Sequence, residues 1–330
     1  MTHSAPDARF GGRLAVPLIA APMYRVSGPE LVVEVCRAGA IGAFPTSNCA
    51  SLGELDEWLG RIHAETASGD APPCANLIIR QARLDGDLEL LLRHRVEMVI
   101  TSVGSPAAVV APLQGVGCRV FADVASLAHA ERALAAGVDG LVLLTAGAGG
   151  QTGWANPFAF VRAVRRFYDG PLVLAGGVGD GRALWAARVL GVDLGYMGTR
   201  FIATKESLAK PAYKQMLVQA SLDDIVTTRA FTGLPSNMLR PSIEAAGLDP
   251  DALDEIVTAE DSRTVYGADA PGPRRWADIW SAGHSVSLVD DVPSAAEIVR
   301  RTALEYDAAR RETAGLLGRS PNEGLVRDWG

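Results

Sequence analysis

The sequence predicts an α/β fold in which eight parallel strands close into a single (β/α)8 barrel of the TIM type. Three observations lead to this prediction: short apolar runs alternate with amphipathic segments over about the first 200 residues, there are eight such runs, and the turns are rich in glycine. Parallel strands covered on both faces read as nearly continuous apolar runs. An open doubly wound sheet usually has fewer strands in two halves, so the closed barrel is favoured.

Each apolar run has the length of one barrel strand. The predicted strands are Pro17–Met23, Ile41–Thr46, Ala75–Ile79, Met98–Val103, Arg119–Val124, Gly140–Ala146, Leu172–Gly177 and Leu194–Phe201.

Helical patterns separate these strands, and many begin and end with typical capping residues. Predicted starts are Ser27 with Pro29, Ser51, Ser126, Asn156 with Pro157, and Asp180. Gly39, Gly137 and Gly191 follow predicted helix ends, where the left-handed conformation is cheap for glycine. The helical patterns are Leu31–Ala38, Leu52–Thr66, Leu127–Ala136, Phe158–Phe167 and Arg182–Leu190.

The alternation stops after the eighth strand, which predicts an insertion. Residues 1–203 and 274–317 are predicted to form the barrel, and residues 204–273 a mainly helical lid over the substrate side. The lid contains one amphipathic segment, Leu208–Leu222, and the chain closes with a helical pattern, Ser294–Leu317. Residues 318–330 are predicted to be a loose tail.

Composition and charge exclude several classes of protein. The formal charge of −7 lacks the basic footprint of a nucleic-acid-binding protein, and the basic run Arg162–Arg166 is typical of a solvated helix face. The four cysteines form no CxxC pair, which predicts buried, reduced thiols and no metal site. Because no run reaches about 18 apolar residues and the N-terminus is polar, we expect a cytoplasmic protein without a membrane segment.

Glycine-rich turns follow the seventh and eighth predicted strands, where (β/α)8 enzymes bind phosphate. The turns are Ala175-Gly-Gly-Val-Gly-Asp-Gly181 and Gly195-Tyr-Met-Gly-Thr-Arg-Phe201. Backbone N–H groups exposed by glycine beside a helix N-terminus favour a phosphate dianion, and Thr199 can add a hydroxyl donor. These turns therefore predict a phosphate site.

A third glycine-rich turn, Gly147-Ala-Gly-Gly-Gln-Thr-Gly153, imitates a dinucleotide-binding fingerprint. Its spacing is GxGxxxG rather than GxGxxG. In addition, the nearest acid, Asp169, precedes the next strand, whereas the ribose-binding acid should end it. The dinucleotide-binding interpretation is therefore the weaker one.

Several segments, in this order, resemble the nitronate monooxygenase family. They are Ala20-Ala-Pro-Met23, Ala75-Asn-Leu-Ile78, Ala146-Gly-Ala-Gly-Gly-Gln-Thr-Gly153, Ala175-Gly-Gly177, Tyr196-Met-Gly-Thr-Arg-Phe201, Pro235-Ser-Asn237 and Trp280-Ser-Ala-Gly283. The resemblance implies an FMN-dependent oxidoreductase acting on a small molecule with O₂. It also implies FMN contacts from Pro22, Met23 and Tyr24 along the ring, Asn76 at its polar edge, Gly149 and Gly150 at its border, and Gly176, Gly177, Gly198 and Thr199 at the phosphate.

The sequence departs from the family at the residue that usually acts as the base. The family has histidine after Gly-Gly in the turn that follows strand six, whereas this chain has Gln151, which takes no proton near neutral pH. Conversely, His284 stands where the family usually has glutamine. We expect Gln151 to orient the substrate and His284 to restore part of the acid–base or charge-stabilising capacity, while His63, His94 and His129 have surface or packing roles.

The resemblance leaves three functions open. The first is oxidative denitrification of alkyl nitronates with O₂, without proton abstraction from neutral nitroalkanes. The second is a reductase of enoyl thioesters or a specialised-pathway oxidoreductase that uses NAD(P)H, and the third is a flavin-binding protein without turnover. The sequence does not predict an oligomeric state.

Overall fold

A computed structural model describes residues 12–267 and 271–317 of the chain. Eight parallel strands close into a barrel in the order β1-β2-β3-β4-β5-β6-β8-β9, and β9 pairs with β1. The predicted barrel is confirmed, with one strand in each of the eight predicted runs. The barrel strands are β1 Leu18–Ala20, β2 Ile41–Pro45, β3 Cys74–Ile78, β4 Met98–Ser102, β5 Arg119–Val124, β6 Gly140–Leu144, β8 Leu172–Ala175 and β9 Leu194–Met197. The strand β7, Gly150–Gln151, belongs to a separate sheet.

The barrel strands bury apolar side chains on both faces, which explains their continuous apolar sequences. Side chains such as Ile19, Phe121 and Val173 fill the barrel interior. Their chain neighbours, for example Leu18 and Leu174, pack in the outer layer against the helices. The interior is thus closed by packed side chains below its mouth, as is usual for eight-stranded barrels.

The predicted helix boundaries are confirmed at most starts and ends. The side chains of Ser51, Ser126, Asn156 and Asp180 each accept a hydrogen bond from a backbone N–H in the first turn of the following helix. Ser27 was expected to cap a helix, which is wrong because its Oγ instead bonds Ala21 and Met23 in the turn before the helix. The helices around the barrel are α1 Pro29–Arg37, α2 Leu52–Glu65, α3 Leu84–Arg93, α4 Ala107–Gly115, α5 Leu127–Ala135, α6 Pro157–Val164 and α7 Gly181–Leu190.

The eighth predicted strand ends earlier than the sequence suggested. β9 stops at Met197, and a short helix, α8 (Thr199–Ile202), begins two residues later. A strand as far as Phe201 is therefore wrong. The apolar residues Phe201 and Ile202 are buried in a helical turn, which apolarity alone does not distinguish from a strand.

The segment after β9 contains strands as well as helices. Its helices are α9 (Pro211–Gln219), α10 (Arg240–Ala245) and α11 (Ala259–Tyr266). Two strands, β10 (Ile225–Thr228) and β11 (Ser236–Leu239), form an antiparallel sheet with β7 (Gly150–Gln151), which lies in the loop after β6. The expectation of a mainly helical insertion did not include this sheet, because its strands are short and one partner is distant in sequence.

The last helix, α12 (Ala295–Leu317), packs against α7 and α1 and so completes the ring of helices around the barrel. The predicted loose tail, residues 318–330, lies outside the described residues. The four cysteines are free and buried, as predicted. No helix among residues 12–267 and 271–317 is both long and apolar enough to cross a membrane.

One arginine of the basic run at the end of α6 is buried rather than solvated. The side chain of Arg165 is 5% exposed and forms an ion pair with Asp193, with Nη2 and Oδ2 separated by 2.8 Å. Its remaining N–H groups donate to the backbone carbonyls of Tyr168, Gly170 and Gly191. The expected solvated face is therefore wrong at Arg165, which organises the turns between α6, β8 and β9.

Candidate active site

The turns after β6, β8 and β9 meet the segment Trp280–His284 at the C-terminal end of the barrel. The Gly283 N–H donates to Thr199 Oγ1 over 2.9 Å, and the His284 N–H donates to the Gly147 carbonyl over 3.0 Å. A Cβ placed on Gly149 would lie 2.7 Å from the Gly283 nitrogen. Predicted site residues from four separate parts of the chain thus lie in contact with one another.

The turn after β8 uses two consecutive glycines with positive φ, +118° at Gly176 and +78° at Gly177. A Cβ on Gly176 would lie 2.3 Å from Thr145 Oγ1, so this position has no room for a side chain. A Cβ on Gly177 would meet no atom within 4 Å. Gly176 therefore packs against the loop after β6, whereas Gly177 faces open space.

The helix N-terminus beside this turn is already occupied by carboxylates. Asp180 Oδ1 accepts a hydrogen bond from the Ala183 N–H, and Glu305 Oε2 accepts one from the Gly181 N–H over 2.9 Å. These acids satisfy amides that would otherwise be available to an anion. Two amides of this helix N-terminus are therefore taken by carboxylates, and a phosphate contact after β8 stays a prediction that depends mainly on the glycine turn.

The turn after β1 holds Pro22, Met23 and Tyr24 next to the turn after β9. A Cβ on Gly198 would lie 3.5 Å from Met23 Sδ. The Met23 N–H donates to Ser27 Oγ, and the Met23 carbonyl accepts from Asn48 Nδ2, each over 3.0 Å. The backbone of Met23 is therefore bonded both to its own turn and to the turn after β2, and its side chain faces Gly198.

Two arginines interact with Tyr24 at this edge of the mouth. The Arg25 guanidinium lies 5.6 Å from the centre of the Tyr24 ring, in a cation–π contact. Arg275 is partly buried, and both burial and the charge of Arg263 lower its pKa, while the neighbouring Tyr24 raises it. Arg25 therefore contacts the Tyr24 ring, and the charge of Arg275 lies close enough to interact with Tyr24.

Gln151 lies in β7, where it pairs with Ser236 of β11. The side chain of Gln151 is exposed. The preceding residue, Gly150, has a φ of +68°, and a Cβ on it would lie 3.6 Å from the ring of Trp276. The loop after β6 is thus held by the insertion on one side and by residues 276–284 on the other.

Asn237 fixes this loop and was not among the predicted site residues. Its buried Nδ2 donates to the carbonyls of Ala146 and Ala148 over 2.9 and 2.7 Å, and its Oδ1 accepts from Thr227. The sequence Pro235-Ser-Asn237 had been noted only as part of the resemblance. Periodicity gives no signal for such a residue, because its partners lie about 90 residues earlier in the chain.

We expect Asn237→Ala to lower the free energy of unfolding by about 2–3 kcal/mol, because it leaves two buried carbonyls without donors. Thr227→Val, which removes one hydrogen bond to the same amide, should cost about 1 kcal/mol. Urea unfolding of the two variants measures the difference. Equal costs would contradict the role of Asn237 in holding the loop.

Asn76 lies inside the barrel on β3 and is 7% exposed. Its Nδ2 donates to the Ile100 carbonyl over 3.0 Å and to Ser102 Oγ over 3.2 Å. Asn76 Oδ1 accepts from Ser102 Oγ over 3.4 Å. Both amide hydrogens are therefore used within the barrel, and Asn76 Oδ1 keeps one further lone pair as an acceptor.

Asp123 was also missed by the sequence analysis. It lies on β5 at the same end of the barrel, and its Oδ1 is buried without a hydrogen-bond partner within the described residues. Burial raises the pKa of the Asp123 carboxyl to about 7. An acid in the otherwise apolar run Val120–Val124 is the signal that could have identified it.

The closed barrel, with its glycine turns at the C-terminal end, places the chain in the (β/α)8 class of α/β proteins. A family model described as nitronate monooxygenase matches residues 73–304. The chain belongs to the nitronate monooxygenase family.

Curated relatives and a solved structure agree with this assignment. A nitronate monooxygenase of Pseudomonas aeruginosa is 29% identical, over 86% of this chain and 94% of that protein. A 5-hydroxy-7a-methyl-1-oxo-octahydro-indene-4-carboxyl-CoA dehydrogenase of Mycobacterium tuberculosis is also 29% identical, over 69% of this chain but only 64% of its own length. FabK of Thermotoga maritima has a TM-score of 0.78 and 26% identity, covering 96% of this chain and 100% of FabK.

Proposed function

We propose that the protein is an FMN-dependent oxidoreductase that converts alkyl nitronates and O₂ into a carbonyl compound and nitrite. The observation that carries the proposal is Gln151. Its carboxamide forms hydrogen bonds but is not a base, and it lies at a mouth built from the glycine turns typical of the family. Bound FMN would supply the electron transfer between the nitronate and O₂. The residues of this chain bind and orient both partners.

The polar groups of the mouth fit FMN. Gly177 faces open space after β8, and Thr199 Oγ1 accepts from Gly283, which leaves its own proton to donate to a phosphate oxygen. Asn76 keeps an acceptor that suits the N3–H of the flavin ring. Buried oxygens without partners also lie at this end of the barrel, on Thr46, Ser47 and Asp123. We propose that Gly176, Gly177, Gly198 and Thr199 bind the phosphate, and that Pro22, Met23, Tyr24, Gly149 and Gly150 border the ring.

Gln151 would orient the substrate by donating its amide N–H groups to a nitro oxygen. Arg25 and Arg275 favour an anionic substrate, because both interact with Tyr24 at the edge of the same mouth. A nitronate carries the negative charge that a neutral nitroalkane lacks. Gln151 and the arginines therefore suit a substrate that is already ionised.

His284 is proposed to act at the cofactor. The His284 N–H donates to the Gly147 carbonyl. A Cβ placed on Gly147 would lie 3.5 Å from the His284 Cβ and 3.1 Å from the Gly177 nitrogen, so His284 lies near the turn after β8. This position favours the charge-stabilising role, near the proposed phosphate end, over proton transfer beside Gln151. The insertion, residues 204–273, is proposed to cover the substrate side, since β11 pairs with the loop that carries Gln151.

An anaerobic titration of the FMN-loaded enzyme tests the proposal. We expect an alkyl nitronate to bleach the visible flavin band, and admission of O₂ to restore it with release of nitrite. NADH and NADPH should bleach the band much more slowly. A protein that does not bind added FMN would contradict the flavin assignment itself.

A reductase is the second candidate, because the indene-4-carboxyl-CoA dehydrogenase of Mycobacterium tuberculosis is among the relatives and FabK shares the fold. Rapid bleaching by reduced nicotinamide, without bleaching by nitronate, would replace the first proposal with this one. Flavin binding with neither reaction would instead indicate a carrier.

A further inference from the structure

We propose that Asp123 is a protonated carboxylic acid in the floor of the mouth and donates a hydrogen bond to the pyrimidine edge of the flavin. The proposal rests on the proposed flavin site and adds to it a proton-holding group. It assigns a function to a buried acid that the reaction described above does not use.

The position of Asp123 follows from the alternation of β5. Phe121 fills the barrel interior, and Asp123, two residues closer to the mouth, lies on the same face of the strand. Ala122 pairs with Thr101 on β4, and Asp123 itself pairs with Val142 on β6. Asp123 is therefore the next layer above the packed interior, one strand away from Ser102 and its partner Asn76.

In the part of the chain that the structure describes, partly buried Asp123 has no basic partner, unlike the fully buried acids Asp87 and Asp193. Asp87 is bonded to Arg83 over 3.0 Å, and Asp193 to Arg165 over 2.8 Å. Within residues 12–267 and 271–317, Asp123 Oδ1 accepts and donates no hydrogen bond. Structural acids in this fold are paired with arginine, so Asp123 has a different role.

The titratable groups that face Asp123 are Tyr196 on β9 and Cys74 on β3, and both are neutral. Burial, then the charge of Asp123, raises the pKa of Tyr196 well above its usual value. Burial likewise raises the pKa of Cys74. The polar groups on β3 and β4, Asn76 and Ser102, carry no charge. With burial as the only cause, the pKa of Asp123 rises to about 7, so its carboxyl keeps its proton below that pH.

A protonated carboxyl supplies one donor, which is what this part of the mouth needs. The two N–H groups of Asn76 are already used, so Asn76 offers an acceptor and cannot donate to the flavin carbonyl or N1. An ionised Asp123 would instead place a negative charge beside these electron-rich atoms. FMN binding should therefore require the neutral form of Asp123.

The test is FMN affinity as a function of pH in the wild type and in Asp123→Asn, an uncharged variant that keeps a donor. The dissociation constant of the wild type should rise about tenfold relative to that of Asp123→Asn between about pH 6 and about pH 8, since the ionised fraction must take up a proton to bind. Taking the ratio at each pH cancels the titration of the FMN phosphate. Asp123→Leu, which has no donor, should bind FMN more weakly than Asp123→Asn at both pH values.

A second measurement detects the proton on the Asp123 carboxyl in the protein without flavin. Infrared spectra of the apoprotein should show a carboxylic-acid carbonyl band that disappears as the pH rises through about 7 and that is absent in Asp123→Asn. If FMN binds but the ratio of affinities does not change with pH, the role of Asp123 is wrong while the flavin site stands. If the wild type binds no FMN at any pH, the proposed function fails, and the infrared band still decides whether Asp123 holds a proton.

Discussion

The FMN-loaded enzyme is expected to oxidise a preformed alkyl nitronate at least about 100-fold faster than the corresponding neutral nitroalkane near neutral pH. General-base catalysis is commonly worth about 10²- to 10⁴-fold, and a carboxamide at position 151 provides none of it. Initial rates of nitrite release, measured with each form before the two equilibrate, give the ratio. Equal rates would show that another group removes the α-proton.

Gln151→His should restore part of the missing step. We expect the rate with the neutral nitroalkane to rise about 10- to 100-fold, and the rate with the nitronate to change much less, because only the former needs a base. Gln151→Asn is the matched control, since it keeps a carboxamide and adds no base. An equal gain in both variants would contradict the assigned role of Gln151.

The second large effect is expected in the turn after β8. Gly176→Ala should destabilise the protein by about 3–5 kcal/mol, the sum of left-handed strain and of a Cβ forced against Thr145 Oγ1. Gly177→Ala should cost only about 1–2 kcal/mol of strain, because its Cβ enters open space. That space is the proposed phosphate site, so Gly177→Ala should nevertheless weaken FMN binding.

Gly247→Ala is the control variant that distinguishes the effect of backbone strain on stability from the effect of a side chain on FMN binding. Gly247 has the same φ of +78° as Gly177, and a Cβ on it also meets no atom within 4 Å, but it lies in the insertion after α10. Thermal unfolding should shift similarly in the two variants, while FMN titration should show weaker binding only for Gly177→Ala. Unchanged FMN affinity in Gly177→Ala would remove this turn from the phosphate site.

Features set by short stretches of sequence could be predicted. The barrel strands are buried on both faces, so each appears as an apolar run, and helix starts at Ser51 and Asp180 depend on bonds to residues three positions later. The phosphate role of Gly176 and Gly177 follows from the recurrence of phosphate sites after the seventh barrel strand, and it stays a prediction. Eight repeats of a local strand-and-helix pattern were sufficient to predict the barrel.

Features that depend on contacts between distant segments could not be predicted. β7 is two residues long and forms only because β11, more than 80 residues later, pairs with it. The hydrogen bonds from Asn237 to the loop after β6 depend on the same pairing. To predict the role of Asp123, one would need to know which way its side chain points inside the barrel. To predict that Glu305 bonds the N-terminus of α7, one would need to know how α12 packs, and periodicity does not provide this.

The three-stranded sheet has a consequence for how this enzyme can diversify. The insertion, which is proposed to cover the mouth, is bonded through β11 and Asn237 to the loop that carries Gln151. Exchanging the insertion for that of a relative would therefore also move the reactive loop, so substrate range and chemistry are not separable modules here. A chimaera that transfers residues 204–273 should need residues 146–152 from the same donor to remain active.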